Sequence, residues 1–399
     1  MLNKKIILGV TGSIAAYKAA ELTRFLKKSG ADVQIVMTKS AKEFISQLTL
    51  QALSGKPVLE NMWEPSKGNG MQHINLSREA DLILIAPASA NFIAKLANGL
   101  ADDLLSNLCL ARNCPLLIAP AMNKEMWLNL ATQRNINLIR NDNIQVSGPE
   151  EGDQACGEEG FGRLINEKIL FLEIKKAMGN RKFSNKKILI SCGGTIENID
   201  DARAITNLSS GRMGFNIAEA AFIMGAEVTL VYGRTDIPAP EGINKIYAPN
   251  HNEMQRAIIK SAANHDIFIS VAAISDYLPT RTNGKIKKDK ILKLELTKSA
   301  DILAETASKF NHLFCVGFSA ESESIIKNGQ EKLKNKKVDL IVSNSINESM
   351  GEDSAEIYLI DPKEVKHITK RDKSELAIEI MNHVHTLTTE KGNINEPNN

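Results

Sequence analysis

KKIILGVTGSIAAYK, residues 4–18, runs an apolar strand of Ile, Leu and Val into a glycine, a serine and a helix-forming segment. Gly12 permits a tight turn and Ser13 is a good N-cap. The helix that follows presents free N–H groups and the positive end of its dipole to an anion. Alone, the stretch reads equally as a well-capped helix or as a phosphate site. Working outward, residues 32–37 (DVQIVM), 81–86 (DLILIA) and 115–119 (PLLIA) are further short apolar runs spaced by helix-length segments. That is the pattern of a parallel sheet buried on both faces.

The rhythm pauses at 178–187 (MGNRKFSNKK), polar and aperiodic, and restarts with KKILISCGG at 186–194. Strands are expected at 187–192, 226–231, 266–271, 313–317 and 338–342, with helices over 212–224, 251–263 and 323–335. The fold class is therefore α/β: two tandem three-layer domains over 1–180 and 187–386, with 181–187 as the linker and 387–399 as a disordered tail. Residues 285–297 (KIKKDKILKLELT) alternate with period two and read as a hairpin or edge ribbon.

Composition narrows the chemistry. A 399-residue chain with 49 basic and 47 acidic residues and 43% hydrophobic content carries no large single-sign field. Nucleic acid and membrane are thus not expected as partners, and small molecules are. The N-terminus has neither a cleavage site nor an apolar run of membrane length. The five cysteines, Cys109, Cys114, Cys156, Cys192 and Cys315, show no CxxC or Cys/His ligand spacing. A reducing compartment follows, and with it a cytoplasmic location.

In open α/β sheets ligands collect at the carboxyl ends of the strands. No GxGxxG occurs, and the second strand ends in Met37-Thr38 where a dinucleotide site would carry an acid for the ribose, so a mononucleotide phosphate fits better. LILIAPASAN (82–91) and PLLIAPAMN (115–123) echo each other: small residues let backbone approach a flat ring, while Ser89, Asn91 and Asn123 offer hydrogen bonds. Two ordinary strand exits would look similar. His73, in QHINLS, alternates against Ile74 and Leu76 and faces away from the apolar side. GDQACGEEGFGR (152–163) places Cys156 in a loop with four glycines, where it is a ligand or a reactive group rather than core.

In the second half no GxxxxGK[ST] occurs, so a triphosphate would be held elsewhere, with NLSSGRMG (207–214) and its Arg212 as the substitute or as a plain helix start. Asp276 ends the strand DIFISVAAISDY, where a carboxylate holds a metal or a ribose. Lys285, Lys287, Lys288 and Lys290 cluster on the ribbon, either as a solvated basic turn or over a triphosphate.

Taken together, TGSIAAYK, QHINL, PASAN, PAMNKEMW (120–127) and ACGEEGFGR resemble the flavin-dependent cysteine decarboxylases. With the second half included, the chain resembles the bacterial bifunctional phosphopantothenoylcysteine decarboxylase/phosphopantothenate-cysteine ligases of coenzyme A biosynthesis. The resemblance implies a flavodoxin-like first domain binding FMN through Gly12, Ser13, Ile14, Thr38, Ser89 and Asn91. It implies that the substrate is oxidised at its thiol-bearing carbon by hydride transfer to the flavin, and that the resulting thioaldehyde loses CO2 easily. His73 matches the histidine required for this half, Asn123 the asparagine that binds the departing carboxylate, and Cys156 the proton donor for the return of the hydride. The family's PASANT ends here in Phe92.

For the Rossmann-like second domain the resemblance implies a ligase that joins 4'-phosphopantothenate to cysteine with CTP through an acyl-cytidylate. Asn207 matches the residue that binds that intermediate, and Lys285 the first lysine of the KxKK motif, poised at the α-phosphate. CTP contacts fall on Ser270, Val271, Ala272 and Asp276, then on Ala300, Asp301, Ile302 and Leu303, and last on Phe318, Lys332 and Lys336. Ala300 replaces a more usual proline. Mg2+ or Mn2+ is implied as the metal, with Asp276 as its ligand. Asp200 and Arg203, in DDAR, match a dimer-contact motif. The assembly implied is a homo-oligomer, a dodecamer built from trimers and dimers. Decarboxylation of a peptide C-terminal cysteine, or a non-catalytic regulatory role, are the rival readings.

Overall fold

The computed structural model describes residues 1, 3–62, 72–287, 293–346 and 352–395. It divides into two compact units, Met1–Gly179 and Asn180–Asn399.

In the first unit the strands are β1 (Lys5–Val10), β2 (Asp32–Met37), β3 (Leu82–Ala88), β4 (Leu116–Pro120), β5 (Gln145–Val146), β6 (Glu150–Asp153) and β7 (Glu159–Arg163). The helices are α1 (Lys18–Lys28), α2 (Gln47–Ser54), α3 (Gln72–Glu79), α4 (Ala90–Ala97), α5 (Leu104–Ala111), α6 (Lys124–Leu128), α7 (Leu130–Asn141) and α8 (Glu167–Ala177). The parallel sheet has the order β2-β1-β3-β4-β5. Alternate residues of β1 feed separate layers: Ile6, Leu8 and Val10 pack with Leu22 and Leu26 of α1, and Ile7 with Leu105 and Leu108 of α5. Burial on both faces is why the strands are uniformly apolar. The chain leaves β1 to one side for β2 and returns to its other side for β3, which makes the β1/β3 edge the topological switch point where such folds bind ligands.

In the second unit the strands are β8 (Lys187–Cys192), β9 (Ile196–Asn198), β10 (Ala204–Thr206), β11 (Glu227–Tyr232), β12 (Asn244–Tyr247), β13 (Ile267–Ser270), β14 (Tyr277–Pro279), β15 (Leu296–Lys298), β16 (Phe314–Glu321), β17 (Leu340–Ser345), β18 (Ser354–Ile360) and β19 (Val365–Asp372). The helices are α9 (Arg212–Ile223), α10 (His251–Ala262), α11 (Ile302–Lys309), α12 (Ile325–Lys336) and α13 (Lys373–Asn395). The main sheet runs β12-β11-β8-β13-β16-β17-β18-β19, parallel from β12 to β17 and antiparallel beyond. Relabelled in chain order, its parallel part is the doubly wound 3-2-1-4-5-6 arrangement, with the switch point between β8 and β13.

The structure corrects several expectations. Of the ribbon expected at 285–297, the described residues show one paired stretch, Leu296–Lys298, antiparallel to Tyr277–Pro279. Lys288 and Lys290 lie outside the described residues. The tail expected to be disordered from 387 instead continues α13 through Asn395, with the ion pairs Lys363–Glu390 and Lys391–Asp339 anchoring its last turns. Within the expected linker Phe183 is buried, its N–H bonded to the Met224 carbonyl at 2.9 Å and its ring against His385. The alternation around His73 is the start of α3 and not an extended strand. GDQACGEEGFGR is not an irregular loop, because β6 and β7 pair antiparallel from Glu150↔Arg163 to Asp153↔Glu159. The β18–β19 hairpin and α13 were not expected at all, although α13 shows the helical stripe Leu376, Ala377, Ile380, Met381, Val384, all fully buried.

Candidate active sites

The first site forms at the β1/β3 switch point as a cavity of about 730 Å³, within the range of small-molecule sites. Three helical N-termini open on it. Ser13 caps the single turn Ile14–Tyr17, accepting from Ala15 N at 3.3 Å, and its hydroxyl donates to the Ala121 carbonyl. Ser89 caps α4, accepting from Phe92 N at 3.3 Å. Asn123 caps α6, its Oδ1 accepting from Glu125 N at 2.9 Å. Three capped helical starts from separate chain segments thus border one space, and the positive ends of their dipoles suit a phosphate and polar ring edges.

Asn123 also connects to the hairpin. Its Nδ2 donates to Glu158 Oε2 at 2.6 Å and lies 3.4 Å from Gln154 Oε1 and 3.5 Å from Cys156 Sγ. Gln154 accepts from Lys124 N at 3.0 Å and donates to the Phe161 carbonyl, so one amide fastens the hairpin to the start of α6. Cys156 is exposed at the hairpin tip, unlike Cys109 of α5, Cys192 of β8 and Cys315 of β16, which are buried. Burial pushes the Cys109 and Cys315 thiols up to about 12, as expected of packing residues.

Gly12, Ser13, Ile14, Ser89, Asn123 and Cys156 therefore line one cavity. Asn91, in the first turn of α4, is exposed and does not line it. Thr38 lies outside the lining at the end of β2, and its Oγ1 is buried without a partner among the described residues. His73 opens α3, and its side chain lies outside what the structure describes. Sequence reasoning missed Thr11 and Gln154. Thr11 Oγ1 donates to the Pro87 carbonyl and accepts from Ser89 N, locking the ends of β1 and β3 together. Gln154 stands two residues before Cys156 as the one amide in GDQACGEEGFGR, which is the signal that would have found it.

The second site is a cavity of about 260 Å³ at the β8/β13 switch point, bounded by Gly193, the loop Leu208–Gly214, Val271–Ala273, Phe318 and Lys373. Gly211 starts α9 with a left-handed φ of +78°. Arg212 pairs with Asp353, and Lys373 lies beside it, buried; burial and then the Arg212 charge push the Lys373 ammonium below its ordinary range. Lys373 belongs to the unexpected C-terminal helix, which is why it was missed.

Matching residues in the two units tie these sites to known proteins. The family model described as Flavoprotein matches residues 1–179, and that described as DNA/pantothenate metabolism flavoprotein C-terminal domain matches residues 183–387. The chain is 42% identical over 395 residues to the coenzyme A biosynthesis bifunctional protein CoaBC of Vibrio vulnificus strain YJ016, covering 97% of this chain and 98% of that one.

The chain belongs to the CoaBC family.

The Escherichia coli K12 member is 39% identical over 355 residues, 87% of each chain. Among solved structures, the C-terminal domain of a CoaBC protein is 29% identical, covering 53% of this chain and 100% of that one at a TM-score of 0.46. A PPC decarboxylase mutant complexed with pantothenoylaminoethenethiol is 32% identical, covering 43% of this chain and 97% of that one at a TM-score of 0.40. The family models and the CoaBC relatives bear out the resemblance read from the motifs, and the two mainly parallel sheets bear out the fold class. Among the described residues no helix is long and apolar enough to cross a membrane.

The expected CTP residues divide. Val271, Ala272 and Phe318 line the second cavity. Asn207 borders it, its Nδ2 donating to the Ala273 carbonyl at 3.0 Å. Ser270 ends β13 outside the lining. Asp301 caps α11 and pairs with Lys336 at 3.0 Å, above the buried Ile302 and Leu303. The Ala300 carbonyl lies 2.9 Å from His251 Nε2, and Lys332 pairs with Glu321 at 2.6 Å. Asp276 and Lys285 are exposed and outside the lining. Among the described residues, the three-ligand cluster of metal-binding type is Asp361, Glu364 and His383, without Asp276.

Proposed function

We propose that the chain carries out two consecutive steps of coenzyme A biosynthesis. Its second unit joins 4'-phosphopantothenate to cysteine with CTP through an acyl-cytidylate. Its first unit decarboxylates the phosphopantothenoylcysteine so formed to 4'-phosphopantetheine with FMN. The observation that carries this reading is the convergence of Gly12, Ser13, Ser89, Asn123 and Cys156 on one cavity, in a chain similar over nearly its full length to CoaBC proteins.

The residues present fit FMN. Ser13 and Ser89 cap helical N-termini at the cavity, and a Cβ at Gly12 would meet Ser40 Cβ at 2.6 Å, so the turn is closed to larger residues. Thr38 Oγ1 supplies a buried hydroxyl in need of a partner. Bound FMN would supply a two-electron acceptor for oxidation at the thiol-bearing carbon and the matching donor for the reductive half. The chain's own residues bind and orient around it. The Asn123 amide, now donating to Glu158, donates instead to the substrate carboxylate. Cys156 holds the proton taken up in the reductive half, and His73 serves the oxidative half.

In the second unit the loop Leu208–Gly214 and the N-terminus of α9 receive the CTP phosphates, with Arg212 and Lys373 beside them. Asn207 holds the acyl-cytidylate, and Lys285 offsets charge at the α-phosphate. Asp276, an exposed carboxylate that directly precedes β14 and does not end β13 as the sequence suggested, is the ligand for Mg2+ or Mn2+, a hard cation suited to oxygen donors.

The purified protein is expected to be yellow with a flavin spectrum. It should release pyrophosphate only when CTP, phosphopantothenate and Mg2+ are all present, and CO2 only after cysteine is added. Colourless protein that never takes up FMN sinks the first half of this reading; pyrophosphate release without phosphopantothenate sinks the second.

A further inference from the structure

Two acidic residues and an arginine in the turn between β9 and β10 grip the segment that carries the lysines. Asp200 is only 2% exposed. Its Oδ1 accepts from the backbone N–H of Ala202 and of Arg203, each at 2.7 Å, which shapes the turn itself. Its Oδ2 faces outward to two further donors, Arg203 Nη1 at 2.8 Å and the backbone N–H of Ile286 at 3.1 Å. Arg203 Nη1 in turn donates to the Ile286 carbonyl at 3.3 Å. Both backbone groups of Ile286, the residue between Lys285 and Lys287, are therefore held by one ion pair. Asp201 grips the same segment upstream, accepting from Gly284 N and from Arg281 Nη2, each at 3.2 Å. Thr282 N completes the attachment on the Ile199 carbonyl at 2.9 Å.

These bonds matter because the segment has little else to hold it. Between β14 and β15 the described residues 280–287 belong to no strand. A backbone outside any ladder stays in place only if side chains satisfy it. A carboxylate that accepts from several donors in a buried turn is a strong anchor, since charge-assisted hydrogen bonds are the strong ones.

We propose that the Asp200–Arg203 pair positions the lysine segment, holding Ile286 by its N–H and carbonyl so that Lys285 is presented for ligation. The pair touches no substrate and acts through Lys285, and the inference rests on the proposed role of that lysine. It gives DDAR a task inside its own chain, separate from any contact between subunits.

Asp200→Asn is the direct test. An asparagine keeps one acceptor oxygen but turns the other into a donor facing Ile286 N–H and the Arg203 guanidinium. On the full-length protein, ligation kcat is expected to fall at least tenfold while KM for CTP changes less than threefold. Decarboxylation of supplied phosphopantothenoylcysteine by the same chain, and the oligomeric state by light scattering, are expected to stay as in the wild type. Tryptic cleavage after Lys285 and Lys287 is expected to quicken, a readout independent of activity. Wild-type ligation with unaltered cleavage overturns the proposal, as does a loss of ligation accompanied by dissociation into smaller species. Lys285→Gln separates the two readings: if it ligates normally, the role of Lys285 falls, and faster cleavage in Asp200→Asn still decides the anchoring. Should Asp200→Asn also lose decarboxylation, Arg203→Lys decides instead. Lysine keeps the charge on Asp200 but lacks the planar fork that reaches Ile286; unchanged cleavage and ligation in that variant overturn the proposal.

Discussion

Asn123 and Glu158 are joined across the mouth of the first cavity, amide nitrogen to carboxylate oxygen at 2.6 Å, with Cys156 Sγ 3.5 Å from the same nitrogen. Glu158 thus presents to Asn123 the same functional group that the substrate carboxylate brings. On the proposed function the two would compete for the Asn123 amide, and opposite substitutions are expected to have opposite effects.

Asn123→Asp removes the donor and sets a second carboxylate against Glu158. A hydrogen bond to a charged group contributes about 1.5–3 kcal/mol, so CO2 release should fall roughly 10- to 100-fold while FMN stays bound. Glu158→Gln weakens the competitor, an exposed partner whose interaction is worth about 0.2–1 kcal/mol, and KM for phosphopantothenoylcysteine should drop a few-fold at unchanged kcat. Steady-state CO2 release measures both. A KM that rises in Glu158→Gln contradicts the competition.

Cys156→Ser keeps the hairpin and the Asn123 contacts but replaces the thiol by a far weaker acid. With dissolved O2 to reoxidise the reduced flavin, release of CO2 is expected to persist while an oxidised, unsaturated thiol product accumulates in place of 4'-phosphopantetheine, seen by mass spectrometry; without O2 it stops after one turnover per flavin. Complete loss of CO2 release means that Cys156 acts before the reductive half.

Gly162 has φ +146°, and a Cβ there would run into the Met122 carbonyl and meet Gln154 Nε2 at 2.7 Å. Gly162→Ala should therefore cost about 1–3 kcal/mol, from backbone strain and from the loss of fit against α6. Gly157, at φ +85° with nothing within 4 Å of its Cβ, tolerates asparagine. Heating each variant and recording FMN release gives the comparison; equal midpoints would show that the hairpin does not pack closely on α6.

Asp301 supplies a pH dependence. Burial opposes its charge, but the Ala304 N–H and the Lys336 ammonium outweigh that and hold its carboxyl below the ordinary value of 3.8. A carboxyl with a lowered folded pKa contributes stability that is complete above its unfolded pKa and fades as the pH falls through the folded one. Stability should thus decline below pH 3.8 less steeply in Asp301→Asn than in the wild type. Urea denaturation between pH 3 and 6 tests this, and parallel curves would remove Asp301 from the acid response.

β1, β3 and β8 were legible because each is buried on both faces, so they appear as unbroken apolar runs that no amphipathic surface imitates. The hairpin β6–β7 was not legible. Glycines at 152, 160 and 162 sit in extended segments at φ near +150°, and glycine ordinarily argues against a strand. Here it allows close approach to Lys124 and Met122, a requirement set by a distant element. The continuation of α13 past residue 387 was hidden for a similar reason, since its anchors Asp339 and Lys363 lie elsewhere in the chain.

By itself the sequence determined the two α/β halves, the strand ends that carry the polar residues, and the family motifs around Ser13, Asn123 and Cys156. These depend on local periodicity, capping and residue type, which are written in consecutive positions. Only the tertiary structure decided that Gly12, Ser89, Asn123 and Cys156 share one cavity, that Lys373 stands beside Arg212, and that Asp200 holds Ile286. Each of those relationships joins residues from separate segments, and only the order of the strands in the sheets and the packing of side chains between them brings such residues within hydrogen-bonding distance.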